Sequence, residues 1–146
     1  MKNIAIIGSG DLAKQVISLI HESKQHTIYG IYDDVCKEKN VEEYKLKGGT
    51  DWVRSHYSLN YFDYICIAVG YKRFKYKNEI YHRFKNKVPL VNIIHKSCII
   101  HSKSVIGEGI LMFPNVVVDY NAVIEDNVVL NISSTISNDS KIKKNS

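Results

Sequence analysis

"IHKSCIIHSKSVIGEGILMFPNVVVDYNAVIEDNVVLNISSTISNDSKIKKNS", residues 94–146, repeats every six residues. Ile94, Ile100, Ile106, Met112, Val118, Ile124, Leu130, Ile136 and Ile142 open nine consecutive hexads, each with a large apolar side chain. Four positions after each stand Cys98, Ser104, Ile110, Val116, Ala122, Val128, Ser134, Ser140 and Ser146, mostly small or β-branched. A helix has a period of about 3.6 and a strand of about 2, so neither produces this spacing. A hexapeptide solenoid does: each hexad is one side of a triangular coil, its large residue points inward, and the smaller one fills the corner. Gly107-Glu108, Pro114-Asn115 and Asp126-Asn127 are turn-capable pairs where corners should fall. The stretch therefore predicts just under three coils of a left-handed parallel β-helix. Its last hexad, "KIKKNS", leaves a sheet edge that calls for a cap, a partner chain or a continuation.

Upstream the period changes. "NIAII" (3–7) reads as a strand, and Asp11 to Lys24 as a helix with Leu12, Val16, Leu19 and Ile20 on one face. "TIYGIY" (27–32) reads as a second strand and "TDWVRSHY" (50–57) as a short helix. "YICIAVG" (64–70) is the continuous apolar run of a strand buried on both faces, followed by a basic helix and a further strand at "VPLVNII" (88–94). Strands alternating with helices predict a parallel, Rossmann-like sheet built from right-handed βαβ units. The expected architecture is thus an α/β domain over residues 1–92 and a β-helix over residues 93–146.

Composition narrows the class. No apolar run approaches the ~20 residues of a bilayer span. The opening "MKNIAIIGSG" is broken by Gly-Ser-Gly too early for a signal peptide, so a cytoplasmic protein with no membrane insertion is expected. Cys36, Cys66 and Cys98 are odd in number and form no C-x-x-C pair, which argues against a disulfide framework or a zinc site. Cys66 reads as core. Of the net charge of +5, the whole excess lies before Ile93, much of it in "YKRFKYKNEIYHRFKNK" (71–87), with seven bases and one acid. Such a run is a solvated helix face with Ile80 and Phe84 turned inward, a nucleic-acid contact, or a positive field for a phosphorylated small molecule. No nucleic-acid partner is expected.

"GSGDLA", Gly8 to Ala13, follows a strand and opens a helix, and Asp33 lies at the end of the next strand. The pattern satisfies G-x-G-x-x-G/A, so NAD is one reading of it. Its physical content is broader: glycines let backbone approach a phosphate, and the helix N-terminus favours the charge, so any diphosphate would do. A tight turn with no ligand is the third reading.

A βαβ domain joined directly to hexads resembles the PglD/NeuD-type sugar acyltransferases of bacterial surface-polysaccharide pathways. The match rests on "IIGSGDLAKQV", "IYDD" (31–34), "IAVGYKRFKYK" (67–77), "NIIHKS" (92–97) and "VVLNISSTISNDSKI" (128–142). The resemblance implies a homotrimer that transfers acetyl from acetyl-CoA to a nucleotide-activated amino sugar, expected to be UDP-linked. It assigns the diphosphate to Gly8, Ser9 and Gly10, the nucleoside to Asp33 and Asp34, and the sugar side to Gly70, Tyr71 and Lys72. The alternative for the aspartates is a solvated strand end, and for Lys72 the start of a surface helix. Relatives of this type continue through further coils that help form the acetyl-CoA groove, so a shortened, impaired enzyme is expected. Many read G-G-H where this chain has Gly10, Asp11 and Leu12.

The family's base is a His followed by an acid; here "SSTISND" puts Asn138 at the base position and Asp139 beside it. An amide has no basic lone pair, so Asn138 can position an amine but not deprotonate it. Losing a general base typically costs about 10²–10⁴-fold in rate. A non-catalytic nucleotide-sugar-binding or scaffold protein is therefore the alternative to an enzyme. His21, His26, His56, His82, His95 and His101 have no metal-ligand spacing and read as surface or packing residues.

Overall fold

The computed structural model describes residues 1–146, which divide into two compact units, Met1–Val91 and Asn92–Ser146. The division falls one residue before the boundary expected from the change of period.

In the first unit, strands β1 (Lys2–Ile7), β2 (His26–Tyr32) and β5 (Tyr64–Ile67) form a parallel sheet in the order β2-β1-β5. Helix α1 (Asp11–Ser23) crosses from β1 to β2 and buries Ala13, Val16, Ile17, Leu19 and Ile20. It ends where Lys24 turns left-handed at φ 53°. Ala5 and Ile7 of β1 pack in one cluster with Val53 of α2 (Val53–Ser58) and with Ile80, Tyr81 and Phe84 of α3 (Phe74–Phe84). Alternation sends Ile4 and Ile6, both fully buried, to the opposite face. β2 carries a bulge, with Ile4 opposite Ile28 and Ala5 opposite Gly30, so Tyr29 is the extra residue.

Several expectations change at this level. The predicted strand 88–94 divides: its last two residues, Ile93–Ile94, open the β-helix, and in the first unit only one parallel bridge remains, Ile65 to Leu90, held by Ile65 N–H to the Pro89 carbonyl (2.9 Å) and Val91 N–H to the Ile65 carbonyl (3.0 Å). Pro89 has no N–H to offer a longer ladder. Residues 35–49, for which no element was expected, contain a two-stranded antiparallel hairpin, β3 (Asn40–Val41) and β4 (Tyr44–Lys45). The basic run 71–87 does not lie wholly in solvent. Lys77 is only 3% exposed, on the same stripe as Ile80, Tyr81 and Phe84, and burial pushes its ammonium down to about 8.

The second unit is a left-handed parallel β-helix of nine two-residue strands: β6 (Ile93–Ile94), β7 (Ile99–Ile100), β8 (Val105–Ile106), β9 (Leu111–Met112), β10 (Val117–Val118), β11 (Val123–Ile124), β12 (Val129–Leu130), β13 (Thr135–Ile136) and β14 (Lys141–Ile142). They stack in three parallel sheets, β6-β9-β12, β7-β10-β13 and β8-β11-β14. The register is one coil: Val118 lies between Ile100 and Ile136. Both hexad series point inward, with Ile110, Met112, Val116, Val118, Ala122, Ile124, Val128 and Leu130 as the buried core. Corners turn through left-handed residues at Gly109, Asn115, Asn121, Asn127, Ser133, Asp139 and Asn145. Asn and Asp tolerate that conformation better than other side chains bearing a Cβ, which explains the composition of the column.

Candidate functional site

The glycine turn is shaped by how closely β1 and β5 run. Gly8 has φ +117°, and a Cβ there would stand 2.3 Å from the Ala68 carbonyl oxygen. Its N–H bonds the Tyr32 carbonyl at 2.9 Å, fastening the turn to β2 as well. Gly10 caps α1 with no side-chain hydrogen bond, so the first N–H groups of that helix keep their free valence. Beside it, Gly70 caps a short 3-10 turn, Tyr71–Arg73, that leads into α3. A Cβ at Gly10 or at Gly70 would meet nothing within 4 Å. Two glycine-capped helical starts thus open side by side at the carboxyl ends of β1 and β5, the edge where open α/β sheets take ligands. Lys72 is exposed and Tyr71 is 85% exposed on the same loop. Asp11 is the acidic residue in the first turn of α1.

The two aspartates after β2 are engaged in building this edge. Asp33 is 5% exposed; its Oδ2 accepts the Ser9 hydroxyl at 2.8 Å, and its Oδ1 accepts the N–H groups of Val35 (2.8 Å) and Cys36 (3.0 Å). It clasps the glycine turn to the loop after β2. Buried and already accepting three donors, Asp33 is a weaker ribose contact than an NAD reading needs. Asp34 accepts the Thr50 N–H (2.7 Å), the Thr50 hydroxyl (2.8 Å) and the Tyr76 hydroxyl (2.6 Å). Burial pushes its carboxyl up, but the bonds from Tyr76 and Thr50 and the charge of Arg83 outweigh that and hold it below the ordinary range. Arg83 also donates to the Thr50 hydroxyl at 2.6 Å. Asp34 therefore ties the 48–50 loop to α3.

On the β-helix, Asn138 and Asp139 occupy one corner. Asp139 is its left-handed residue, φ 59°. Its Oδ1 accepts the Asn121 amide from the preceding coil at 2.7 Å, and its Oδ2 accepts the Asn138 amide at 2.8 Å. Those two bonds, Asn121 first, hold its carboxyl below the ordinary range. A carboxylate so satisfied is a poor proton acceptor.

Four of the histidines are engaged as well. His95 Nδ1 accepts the Ser97 N–H and His101 Nδ1 the Lys103 N–H, each at 3.1 Å. In a neutral ring this leaves the proton on Nε2 and no free lone pair. Both are turn caps of the first coil. His101 also lies edge-on to Tyr120, ring centroids 5.3 Å apart. His56 Nδ1 is bonded to the Tyr32 hydroxyl (2.6 Å) and His21 Nε2 to that of Tyr44 (2.7 Å). No cluster of His, Cys, Asp and Glu suits a metal ion, and no helix is long and apolar enough to cross a membrane.

A parallel α/β sheet followed by a hexad β-helix defines a class of two-part proteins. Residues 3–84 match the model of the PglD N-terminal domain, and the chain belongs to that family. Among solved structures, it is similar to PerB from Caulobacter crescentus in complex with CoA and GDP-perosamine (TM-score 0.80, 23% identity, 95% of this chain and 64% of that one). A variant of perosamine N-acetyltransferase from the same organism, with one histidine replaced by asparagine, gives TM-score 0.82 at 24% identity over 95% of this chain and 64% of that one. The acetyltransferase domain of PglB from Neisseria gonorrhoeae FA1090 in complex with acetyl coenzyme A gives 0.79 at 25% identity over 95% and 66%. These likenesses carry the fold, and the chain spans under two thirds of the length of each. A search of curated proteins found no match.

Proposed function

We propose that this chain is a nucleotide-sugar-binding member of the acetyl-CoA-dependent N-acetyltransferases, with its proton-transfer step disabled at Asn138. The open double helix start at Gly10 and Gly70 carries this reading. A diphosphate placed there would meet free backbone N–H groups of α1, while Lys72 and Tyr71 would face the sugar. Gly8, Ser9, Asp33 and Asp34 would act by holding that edge in shape. The solved relatives with GDP-perosamine, CoA or acetyl coenzyme A bound support the substrate class. Titration with UDP- and GDP-linked amino sugars distinguishes the UDP carrier that the resemblance implies from the GDP carrier in the PerB complex. A cytoplasmic homotrimer is the assembly and setting this reading implies.

In the reaction, the sugar ammonium first loses a proton. The free amine then attacks the thioester carbonyl, an amide C–N bond forms as the nitrogen gives up a second proton, the C–S bond breaks, and CoA leaves as its thiol by taking up one proton. Asn138 cannot accept the first proton, and Asp139 is held below the ordinary carboxylate range by its two amide donors. A non-catalytic, substrate-holding protein is the second reading, favoured by that same corner.

Thiol release from acetyl-CoA with GDP- and UDP-linked amino sugars separates the two. The expected result is little or no release by the unmodified chain and a gain of about 10²–10⁴-fold on Asn138→His. Binding of the sugar nucleotide with no gain would leave only the second reading.

A further inference from the structure

Trp52 is the sole tryptophan of the chain, and it is 57% exposed. An exposed indole normally moves freely, but this one is braced. Its ring stacks on His56, with centroids 5.6 Å apart and planes 30° apart. His56 is itself fixed by a 2.6 Å hydrogen bond to the hydroxyl of Tyr32, which is fully buried. The indole edge lies against Gly48, at φ +129°, where a Cβ would come within 2.9 Å of Cδ1. The Trp52 backbone N–H bonds the Gly49 carbonyl at 3.2 Å, which fixes the backbone from which the ring projects. The next aromatic, Tyr61, continues the row, 5.3 Å from His56. A flat apolar ring is thus held rigid on one side and left in water on the other, with nothing in the unit's own packing that needs the open side.

Its position is equally specific. The Gly48 carbonyl accepts the Asp33 N–H at 3.1 Å, and the Asp33 carboxylate accepts the Ser9 hydroxyl at 2.8 Å. Successive contacts therefore run from the glycine turn, past the end of β2, to the indole. In an open α/β sheet, a nucleotide whose phosphates sit at the glycine turn extends its ribose and base along that path, beyond the end of the second strand. The aspartate that would usually meet the ribose is spent as a clasp here, so the nucleoside end needs another source of affinity.

We propose that the exposed face of Trp52 is the stacking platform for the base of the bound nucleoside diphosphate, with His56 and Gly48 as the residues that position it. The inference rests on the reading that this unit binds a nucleotide sugar. Stacking on an aromatic face tolerates any base, so the platform supplies affinity, and it suits both GDP and UDP carriers.

The full chain is titrated with GDP, UDP and pyrophosphate by calorimetry, and with GDP and UDP while tryptophan emission is followed. Because Trp52 is the only indole, the emission reports on this one site. GDP is expected to change the emission saturably, with the calorimetric midpoint. Trp52→Ala is expected to weaken GDP roughly 5- to 150-fold, the usual worth of one base stack. Pyrophosphate affinity should stay unchanged, and Trp52→Phe should recover most of the loss. Calorimetric saturation by GDP with unperturbed emission, which needs no variant, overturns the platform and leaves nucleotide binding intact. Unchanged GDP affinity in a folded Trp52→Ala does the same. No binding of either nucleotide overturns both the platform and the reading beneath it.

Discussion

At Gly8 a methyl group would stand 2.3 Å from the Ala68 carbonyl oxygen, and the backbone there is left-handed. Gly8→Ala combines that clash with an unfavourable φ and is expected to cost about 3 kcal/mol or more, read as a lower urea midpoint. Gly10→Ala, with open space around its Cβ, is the control and should leave the midpoint nearly unchanged while weakening pyrophosphate binding. Asp34 gives a second single-residue test. Its folded pKa lies below its unfolded one, so its contribution is fully present above the ordinary carboxylate pKa and is lost as pH falls through the folded value. The urea midpoint should therefore drop as pH falls below the ordinary carboxylate pKa of about 3.9, and Asp34→Asn should shrink that drop. The glycine turn was legible in the sequence because a strand followed by G-x-G leaves a local pattern. The saturation of Asp33 and Asp34 was not, since their partners Ser9, Thr50 and Tyr76 lie 24, 16 and 42 residues away.

The β-helix and α3 show the same contrast at the level of elements. Hexads could be counted because every coil solves one packing problem with the same kind of residue. Met112 is wholly buried in that core, and Met112→Ala is expected to cost about 2–5 kcal/mol, measured by urea denaturation. At the corners, buried Asn127 donates to buried Asn145 at 2.8 Å, one coil on. Asn127→Ala removes that donor and should cost about 1–3 kcal/mol by the same measurement. In α3 the basic composition hid Lys77, although its spacing from Ile80, Tyr81 and Phe84 placed it on the buried stripe. Helical position outweighed residue type there. The β3-β4 hairpin gave no periodic signal, because two residues per strand are too few to show alternation.

For the molecule as a whole, the excess positive charge belongs to the first unit, which also carries the open glycine turn. A cationic field around a diphosphate site is screened by salt over about 10 Å at 0.1 M. The affinity for GDP or UDP should therefore fall several-fold as ionic strength rises from about 0.05 to 0.5 M. A salt-independent affinity would place the nucleotide away from this field.

Sequence alone determined the two-part architecture, the register of the coils, the glycine turn and the absence of a histidine at position 138, because each is written in local pattern or residue identity. Tertiary structure decided which polar groups remain available. Asp33, Asp34 and Asp139 have their oxygens occupied, His95 and His101 have spent Nδ1 on backbone N–H groups, and Trp52 is braced with one face open. Availability depends on what a side chain already bonds, and each of the three aspartates has a partner 16 or more residues away that only folding brings near.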